Sequence, residues 1–188
     1  MKRTEFNAIT SGVSGAFGNQ LVMRIINGVQ VIGRFPSASK VPPTDKQKSV
    51  TERFKAATAY AKQVMKNLSL KDLYSTLRVG KGGVFATAVA DYFHAPKIDT
   101  VILEDYNGTV GSKVLVVATD NVKVDSVAVQ ILTSGGNLLE EGQAAFDPDT
   151  GQWQYTATQQ NEDLQGSVIV VTAKDLPGNE TKSETVMA

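Results

Sequence analysis

The hydrophobic pattern of this 188-residue chain changes its period near residue 100, and this change constrains the fold more than any other feature. From there on, apolar and polar residues alternate, as they do in strands that bury one face. Clusters of Asn, Gly, Asp and Pro interrupt the alternation at short intervals, and these residue types favour turns. The pattern predicts seven strands, at 100–106, 113–119, 126–132, 138–146, 153–158, 167–173 and 181–186.

Seven short strands separated by regular turn signals are typical of an immunoglobulin-like β-sandwich. Trp153 and Tyr155 lie on the same face of their strand as Ala157, so we expect the only tryptophan to be in the core. The chain has no cysteine, which excludes disulfides, thiolate metal sites and cysteine nucleophiles. The prediction therefore concerns the sandwich architecture and not the disulfide-bonded antibody domain.

The pair Asn27-Gly28 marks a β-hairpin in the N-terminal part of the chain. This pair favours a two-residue type I′ turn, and apolar segments at 20–26 and 29–35 flank it. The cross-strand pairs that this turn predicts are Ile26 with Val29, Arg24 with Val31, and Met23 with Ile32. Apolar side chains fall on both faces of the ribbon. We therefore expect both faces to be covered by helices or by a neighbouring subunit.

Helical periodicity replaces the alternation between the hairpin and residue 100. Thr44 and Gln47 form a capping-box pattern, and the apolar residues after them recur at three- and four-residue steps. This stripe, which predicts a helix over 44–67, consists of Val50, Phe54, Ala57, Ala61, Val64 and Leu68. Two further helices are predicted at 70–77 and 84–93.

The sequence therefore predicts an α+β fold in two parts. Residues 1–97 form a basic arm, a β-hairpin and helices, and residues 98–188 form the acidic, seven-stranded immunoglobulin-like sandwich. The first part has fifteen Lys/Arg and five Asp/Glu and the second has four and fourteen, although the net charge is zero. Such asymmetry is informative about partners. The basic part of one copy can meet the acidic part of the next head to tail.

Acidic residues are concentrated in three loops that a sandwich would bring to one end. The carboxylates in question are Asp120, Asp125, Asp147, Asp149 and Asp175. Oxygen ligands of this kind suit Ca²⁺, which makes the loop end a candidate metal site. The alternative is that each Asp is an ordinary turn residue that binds its own backbone. If no ion lies there, mutual repulsion of the carboxylates favours docking of a basic neighbour.

The remaining motifs favour structural roles. His94, the only histidine, has no second histidine or cysteine with which to hold zinc, and it lies at a predicted helix end where the helix dipole favours a cation. Gly12, Gly15 and Gly18 lack the spacing of a phosphate-binding loop. The lysines of the first helix could follow a phosphate backbone, but aromatic residues do not interleave with them as stacking platforms.

Two segments resemble known groups of proteins. The Gly-spaced start and the segment Pro42-Pro43-Thr44-Asp45-Lys46-Gln47 are similar to uncharacterised small proteins of Bacteroidetes and their mobile elements, a resemblance that implies no activity. The later half, with Ala118-Thr119-Asp120-Asn121 and 173–179 as strand-to-loop passages, resembles bacterial immunoglobulin-like modules. Modules of that kind occur in adhesins, filaments and phage virions, where they act as spacers or binding surfaces.

We therefore expect a non-enzymatic structural protein that assembles with its own copies into a filament or a virion-type shell or tail component. The expected interface comprises Gly12, Gly15, Gly18, Leu21, Met23, Ile25, Ile32, Lys46, Lys48 and Lys55. Two alternatives stay open: an immunoglobulin-like module that binds Ca²⁺, a glycan or a protein, and a non-specific nucleic-acid binder.

The same sequence leads to an expectation about location. It shows neither a signal-peptide pattern nor an apolar run of bilayer length. We expect synthesis in the cytoplasm without a cleavable leader, no membrane span, and action there or in a released particle such as a virion.

Overall fold

A computed structural model describes residues 12–26, 28–37, 41–77 and 82–187. The chain forms two compact units, Met1–Gln47 and Lys48–Ala188. The helix Asp45–Lys66 spans the boundary, and two further helices and all the later strands fall in the second unit. The division predicted between residues 97 and 98 stays a prediction.

The first unit contains a three-stranded antiparallel sheet. Its strands are β1 (Gly15–Phe17), β2 (Leu21–Ile26) and β3 (Val29–Arg34), in the order β1-β2-β3. The predicted hairpin register is confirmed, with Ile26 opposite Val29 and Met23 opposite Ile32. The short strand β1 was not predicted. Gly15 and Gly18 at its ends have φ values of 126° and 54°, conformations that residues with a side chain rarely adopt.

Three helices follow the hairpin. They are α1 (Asp45–Lys66), α2 (Leu68–Leu77) and α3 (Val84–Phe93), close to the predicted ranges. The capping box is confirmed, because the Thr44 N–H donates to Gln47 Oε1 at 2.9 Å and the Gln47 N–H donates to Thr44 Oγ1 at 3.3 Å. Among the described residues, no helix is long and apolar enough to cross a membrane.

Eight antiparallel strands form the rest of the second unit. They are β4 (Lys97–Ile102), β5 (Lys113–Thr119), β6 (Val124–Leu132), β7 (Leu138–Gln143), β8 (Ala145–Asp147), β9 (Gln152–Thr156), β10 (Val168–Asp175) and β11 (Glu180–Val186). They form two four-stranded sheets, ordered β11-β10-β6-β7 and β4-β5-β9-β8. The coarse α+β prediction is confirmed.

The seven-stranded sandwich is not confirmed in that form, because the strand predicted at 138–146 is divided. Its first part, β7, pairs with β6, whereas its last part, β8, pairs with β9 in the other sheet. The chain changes sheets at Ala144, whose N–H donates to the Val127 carbonyl at 2.7 Å. The sequence did not reveal this change, because no Pro, Asn or Asp marks a turn between 138 and 146.

One hydrophobic core lies between the two sheets. Val114, Val116, Trp153 and Tyr155 come from one sheet, and Val127, Val129, Ile131, Ile169 and Val171 come from the other. As predicted, Trp153, Tyr155 and Ala157 are all buried. A smaller core joins the helices through Ala61, Val64, Tyr74 and Ala88, and it packs against Val122 and Leu176 from the loops after β5 and β10.

The apolar stripe predicted on α1 is buried only in part. Ala57, Ala61 and Val64 are buried, but Val50 and Phe54 are exposed. Leu68, the last residue of the predicted stripe, begins α2 and is also exposed. The helical core contacts α1 at Tyr60, Ala61 and Val64, whereas Val50 and Phe54 on its earlier turns are exposed.

Candidate functional sites

The N-terminal sheet is the first candidate site, because it exposes most of its apolar side chains. None of the described residues of the first unit is buried. Among the described residues of 12–34, eight large apolar ones are exposed, with exposed fractions from 39% for Leu21 to 72% for Phe17. The group comprises Val13, Phe17, Leu21, Ile25, Ile26, Val29, Val31 and Ile32. A group of exposed large apolar residues of this kind is typical of an interaction surface.

The predicted interface residues lie on this surface. Leu21, Ile25 and Ile32 are exposed and Met23 is half-buried. An open groove of about 650 Å³ runs beside them, with Ala16, Met23, Ile25, Phe35 and Pro36 among its lining residues. A Cβ added to Gly12, Gly15 or Gly18 would meet no atom within 4 Å, and each has a positive φ. These glycines therefore serve the turns of the backbone, and none of them is closely approached by another of the described residues.

The basic part of the predicted interface lies on the first turns of α1. Lys46, Lys48 and Lys55 are exposed, and so are Val50 and Phe54 between them. This segment therefore offers positive charge and apolar surface together. That combination suits a partner that is acidic and partly apolar.

The acidic loops behave largely as turn residues. The Asp120 carboxylate accepts the N–H groups of Val122 and Lys123, both at 3.1 Å. Asp147 accepts the Asp149 N–H at 3.0 Å within its own turn, apart from Asp120. Such hydrogen bonds to nearby backbone N–H groups are expected if each Asp is an ordinary turn residue and not a metal ligand. Over the described ranges, no group of three or more His, Asp or Glu could hold a metal ion.

Asp175 and Asp125 complete the predicted metal set. Asp175 is only 1% exposed and accepts the Gly178 N–H at 2.8 Å and the Asn179 N–H at 2.6 Å. Asp125 is an exposed residue of β6. The calcium site stays a prediction that none of these contacts supports.

The structure brings Asp120 and Asp175 together with a third carboxylate, Asp91 of α3, which is fully buried. The Tyr74 hydroxyl donates to Asp91 Oδ2 at 2.5 Å and lies 2.7 Å from the Tyr60 hydroxyl. We call this group of side chains the α3–loop junction; it consists of Tyr60, Tyr74, Asp91, Asp120, Asn121, Asp175 and Asn179. In the amide orientation that satisfies its neighbours, Asn121 donates to Asp91 Oδ1 at 3.0 Å and to Asp120 Oδ1 at 3.1 Å.

Asn179 completes the junction at the C-terminal end of α3. Its amide nitrogen lies 3.3 Å from the Tyr92 carbonyl and 3.4 Å from the His94 carbonyl, and it donates to Asp175 Oδ2 at 2.7 Å. His94 contributes as predicted at the helix end, with Nδ1 2.7 Å from the Ala90 carbonyl. These contacts satisfy carbonyls that a helix end leaves without partners. Two of the three acidic loops predicted at this end, those of Asp120 and Asp175, thus contact a helix of their own chain.

Sequence reasoning missed Asp91, although a signal was present. It follows Val84 and Ala88 at helical spacing, so a carboxylate lies on an otherwise apolar stripe. Burial raises the pKa of Asp91 to about 7, with support from the charges of Asp120 and Asp175 and against the opposing Tyr74 hydrogen bond. Burial also raises the pKa of Asp175 above its usual range, although its bonds to Asn179 and Gly178 oppose the shift.

The raised pKa of Asp91 predicts a pH-dependent stability. Between about pH 4 and pH 7 the folded chain holds a proton that the unfolded chain has lost, so the free energy of unfolding falls as the pH rises through this window. Each unit of pKa shift is worth about 1.4 kcal/mol, so the loss amounts to a few kcal/mol. Urea unfolding at a series of pH values measures it.

Asp91→Asn should flatten this dependence, because the amide cannot ionise. The exposed Asp72→Asn on α2 is the matched control and should keep the wild-type slope. An Asp91→Asn protein whose stability falls with pH as steeply as the wild type would contradict the assignment.

Glu140 is a second buried carboxylate that the sequence did not single out. It is 5% exposed, and its Oε2 accepts the Tyr155 hydroxyl at 3.0 Å, the Thr158 N–H at 2.7 Å and the Gln159 N–H at 3.2 Å. The Thr158 hydroxyl donates to the same oxygen at 2.7 Å. Glu140 belongs to β7, whereas Tyr155 belongs to β9 of the facing sheet. Its carboxylate therefore ties the two sheets together.

The comparisons with known proteins do not assign the chain to a family. No protein-family model matches it, and the search of curated proteins finds no significant match. The functional argument therefore depends on the residues of this chain alone.

Proposed function

We propose that this chain is a non-enzymatic structural protein that assembles head to tail with its own copies, as a filament or a virion-type shell or tail component. Within each copy we propose that residues 98–188 act as an immunoglobulin-like module. The strand orders β11-β10-β6-β7 and β4-β5-β9-β8 support this proposal, since they match a G-F-C-C′ sheet that faces an A-B-E-D sheet. Modules of this architecture suit the role of spacer.

The observation that carries the proposal is the exposed N-terminal sheet. A small sheet with apolar residues on both faces is marginal in water, and covering those faces stabilises it by about 25 cal/mol for each Å² removed from water. The described part of this unit buries none of its residues. A neighbouring copy supplies the missing cover.

Charge complementarity indicates that the acidic second unit of the neighbouring copy covers this sheet. Arg24 and Arg34 are the only charged residues between residues 12 and 37, so the sheet is purely basic. Exposed acidic residues of the second unit include Glu104, Asp105, Glu141, Glu162, Asp163, Glu180 and Glu184. Asp120 and Asp175 are occupied within the chain, so the acidic surface on offer lies on the strands and other loops. Complementary charge orients the encounter and accelerates it.

The proposal predicts assembly that responds to salt. Light scattering should detect growing particles at low ionic strength and smaller species at high ionic strength, because salt screens exposed charges beyond about 10 Å at 0.1 M. Reversal of Lys46, Lys48 and Lys55 to Glu should abolish growth. A matched reversal of Lys113, Lys123 and Lys174 in the second unit should not.

Wild-type protein that stays monomeric at every salt concentration would contradict the proposed function. Equal effects of the two triple reversals would contradict the part assigned to α1. No contact among the described residues favours the binding of Ca²⁺, a glycan or nucleic acid.

A further inference from the structure

We propose that β3 pairs edge to edge with β3 of a second copy, antiparallel about a twofold axis at Ile32, to form a continuous six-stranded sheet. This inference rests on the proposed function, because it needs copies that associate. It adds to the head-to-tail contact a twofold contact between two β3 strands, which we call the β3 joint. The joint uses the edge of the N-terminal sheet, which leaves both apolar faces for the neighbour's acidic module.

The hydrogen-bond pattern of the hairpin shows which backbone groups β3 offers. In an antiparallel pair, hydrogen-bonded and non-hydrogen-bonded positions alternate. The Phe35 N–H donates to the Gln20 carbonyl at 2.8 Å, which fixes this alternation along the hairpin. Val29, Val31 and Gly33 therefore bond to β2, and the N–H and C=O groups of Gln30, Ile32 and Arg34 point away from it. In the described residues β3 pairs only with β2.

The side chains of the edge strands explain why the partner is β3 itself. Natural sheets protect their edges with charged residues, or with strands too short to pair. β11 carries Glu180, Lys182 and Glu184, β7 carries Glu140 and Glu141, and β4 carries Lys97 and Asp99. β1 and β8 are three residues long. Among the described edge strands, β3 alone combines six residues with five consecutive uncharged ones, so its best match is its own counterpart.

The register follows from charge. An axis at Ile32 places Ile32 opposite its copy and Gln30 opposite Arg34, and it aligns all the outward backbone groups. An axis at Arg34 would place two guanidinium groups directly opposite each other, which is destabilising. An axis at Gln30 would leave Arg34 beyond the end of the partner strand. The Ile32 axis is therefore the arrangement with the most hydrogen bonds and no opposed charges, and twofold contacts are the commonest in homo-oligomers.

The absence of cysteine from the chain allows a direct test. In the Ile32→Cys variant the two thiols come from directly opposed residues, whose Cα atoms lie about 5.5 Å apart, within the range that a disulfide bridges. In Val29→Cys the two thiols lie six residues apart along the strands, about 20 Å, and cannot join. Val29 is the more exposed of the two, so collisional oxidation would favour the control. Mild oxidation followed by non-reducing electrophoresis gives the result.

We expect most Ile32→Cys protein to become a disulfide-linked dimer and Val29→Cys protein to remain largely unlinked. Equal cross-linking of the two variants would overturn the inference. Unlinked Ile32→Cys protein that still forms particles in light scattering would overturn the β3 joint and leave the proposed function standing. Protein that neither cross-links nor scatters above the monomer would remove both.

A proline pair provides a second test that does not depend on disulfide chemistry. Ile32→Pro deletes an N–H that points away from β2, so we expect the hairpin to persist and the joint to be lost. Val31→Pro deletes an N–H bonded to β2 and should disrupt the hairpin itself. Native mass spectrometry reports the joint, and amide exchange of β2 reports the hairpin. A joint that survives Ile32→Pro would overturn the inference.

Discussion

Glu140→Ala should lower the free energy of unfolding by about 3 kcal/mol, because hydrogen bonds to a charged acceptor are worth about 1.5–3 kcal/mol each. The substitution leaves the Thr158 and Gln159 N–H groups and the Tyr155 hydroxyl without their acceptor. Tyr155 is buried, and a buried donor left without a partner costs about 1–3 kcal/mol. The loss should be large because Glu140 lies on β7 whereas its donors lie on β9 of the facing sheet and in the loop after it, so no local adjustment restores the bonds.

The neighbouring residue supplies the control for this prediction. Glu141 is exposed and accepts one hydrogen bond, from Gln130 Nε2 at 2.9 Å. Glu141→Ala should cost less than about 1 kcal/mol, as exposed polar contacts usually do. Guanidinium unfolding followed by the fluorescence of Trp153, the only tryptophan, measures both variants. A cost for Glu140→Ala as small as that for Glu141→Ala would show that this carboxylate does not tie the sheets together.

Ile25→Asp should weaken self-association at least 100-fold, which corresponds to about 2.7 kcal/mol. Ile25 is 53% exposed in the single chain, so the carboxylate stays hydrated there and the isolated unit tolerates it. In the assembly the same position is covered, and a charge buried without a partner is costly. The substitution should therefore weaken association without destabilising the isolated chain.

Val110→Asp is the matched control. Like Ile25, Val110 is an exposed, β-branched apolar residue, but it lies in the turn before β5. It introduces the same charge and should leave association unchanged. Sedimentation velocity over a range of protein concentrations gives the association constants. Equal weakening by Ile25→Asp and Val110→Asp would mean that net charge, and not the covered sheet, controls association.

Local rules explain the parts of the fold that the sequence predicted well. The hairpin register predicted from the Asn27-Gly28 pair matches the observed pairing of Ile26 with Val29, because two residues between strands leave a single pairing; Asn27 itself lies outside the described residues. Thr44 and Gln47 begin α1 through bonds that span only three residues. The limits of α3 match the prediction at both ends, since glycines precede it and Pro96 follows its C-cap.

The parts that were missed depend on contacts between residues distant in sequence. Asp120 and Asp175 were correctly recognised as acidic loop residues, but their actual neighbour, Asp91, lies on a helix that the pattern treats as apolar. Glu140 was not singled out, because its hydrogen-bond partners lie 15 to 19 residues further along the chain. The α1 stripe was overestimated because periodicity shows which face is apolar and not how far another element covers it.

Amide hydrogen exchange of β2 and β3 as a function of protein concentration tests the central claim, that a second copy covers the N-terminal sheet, most directly. We expect the backbone amides of 21–26 and 29–34 to become more protected as the concentration rises, while those of β6 and β10 remain constant. The outward amide of Ile32 should show the largest gain. Exchange in the N-terminal sheet that is independent of concentration, under conditions where the sandwich strands are protected, would contradict the account.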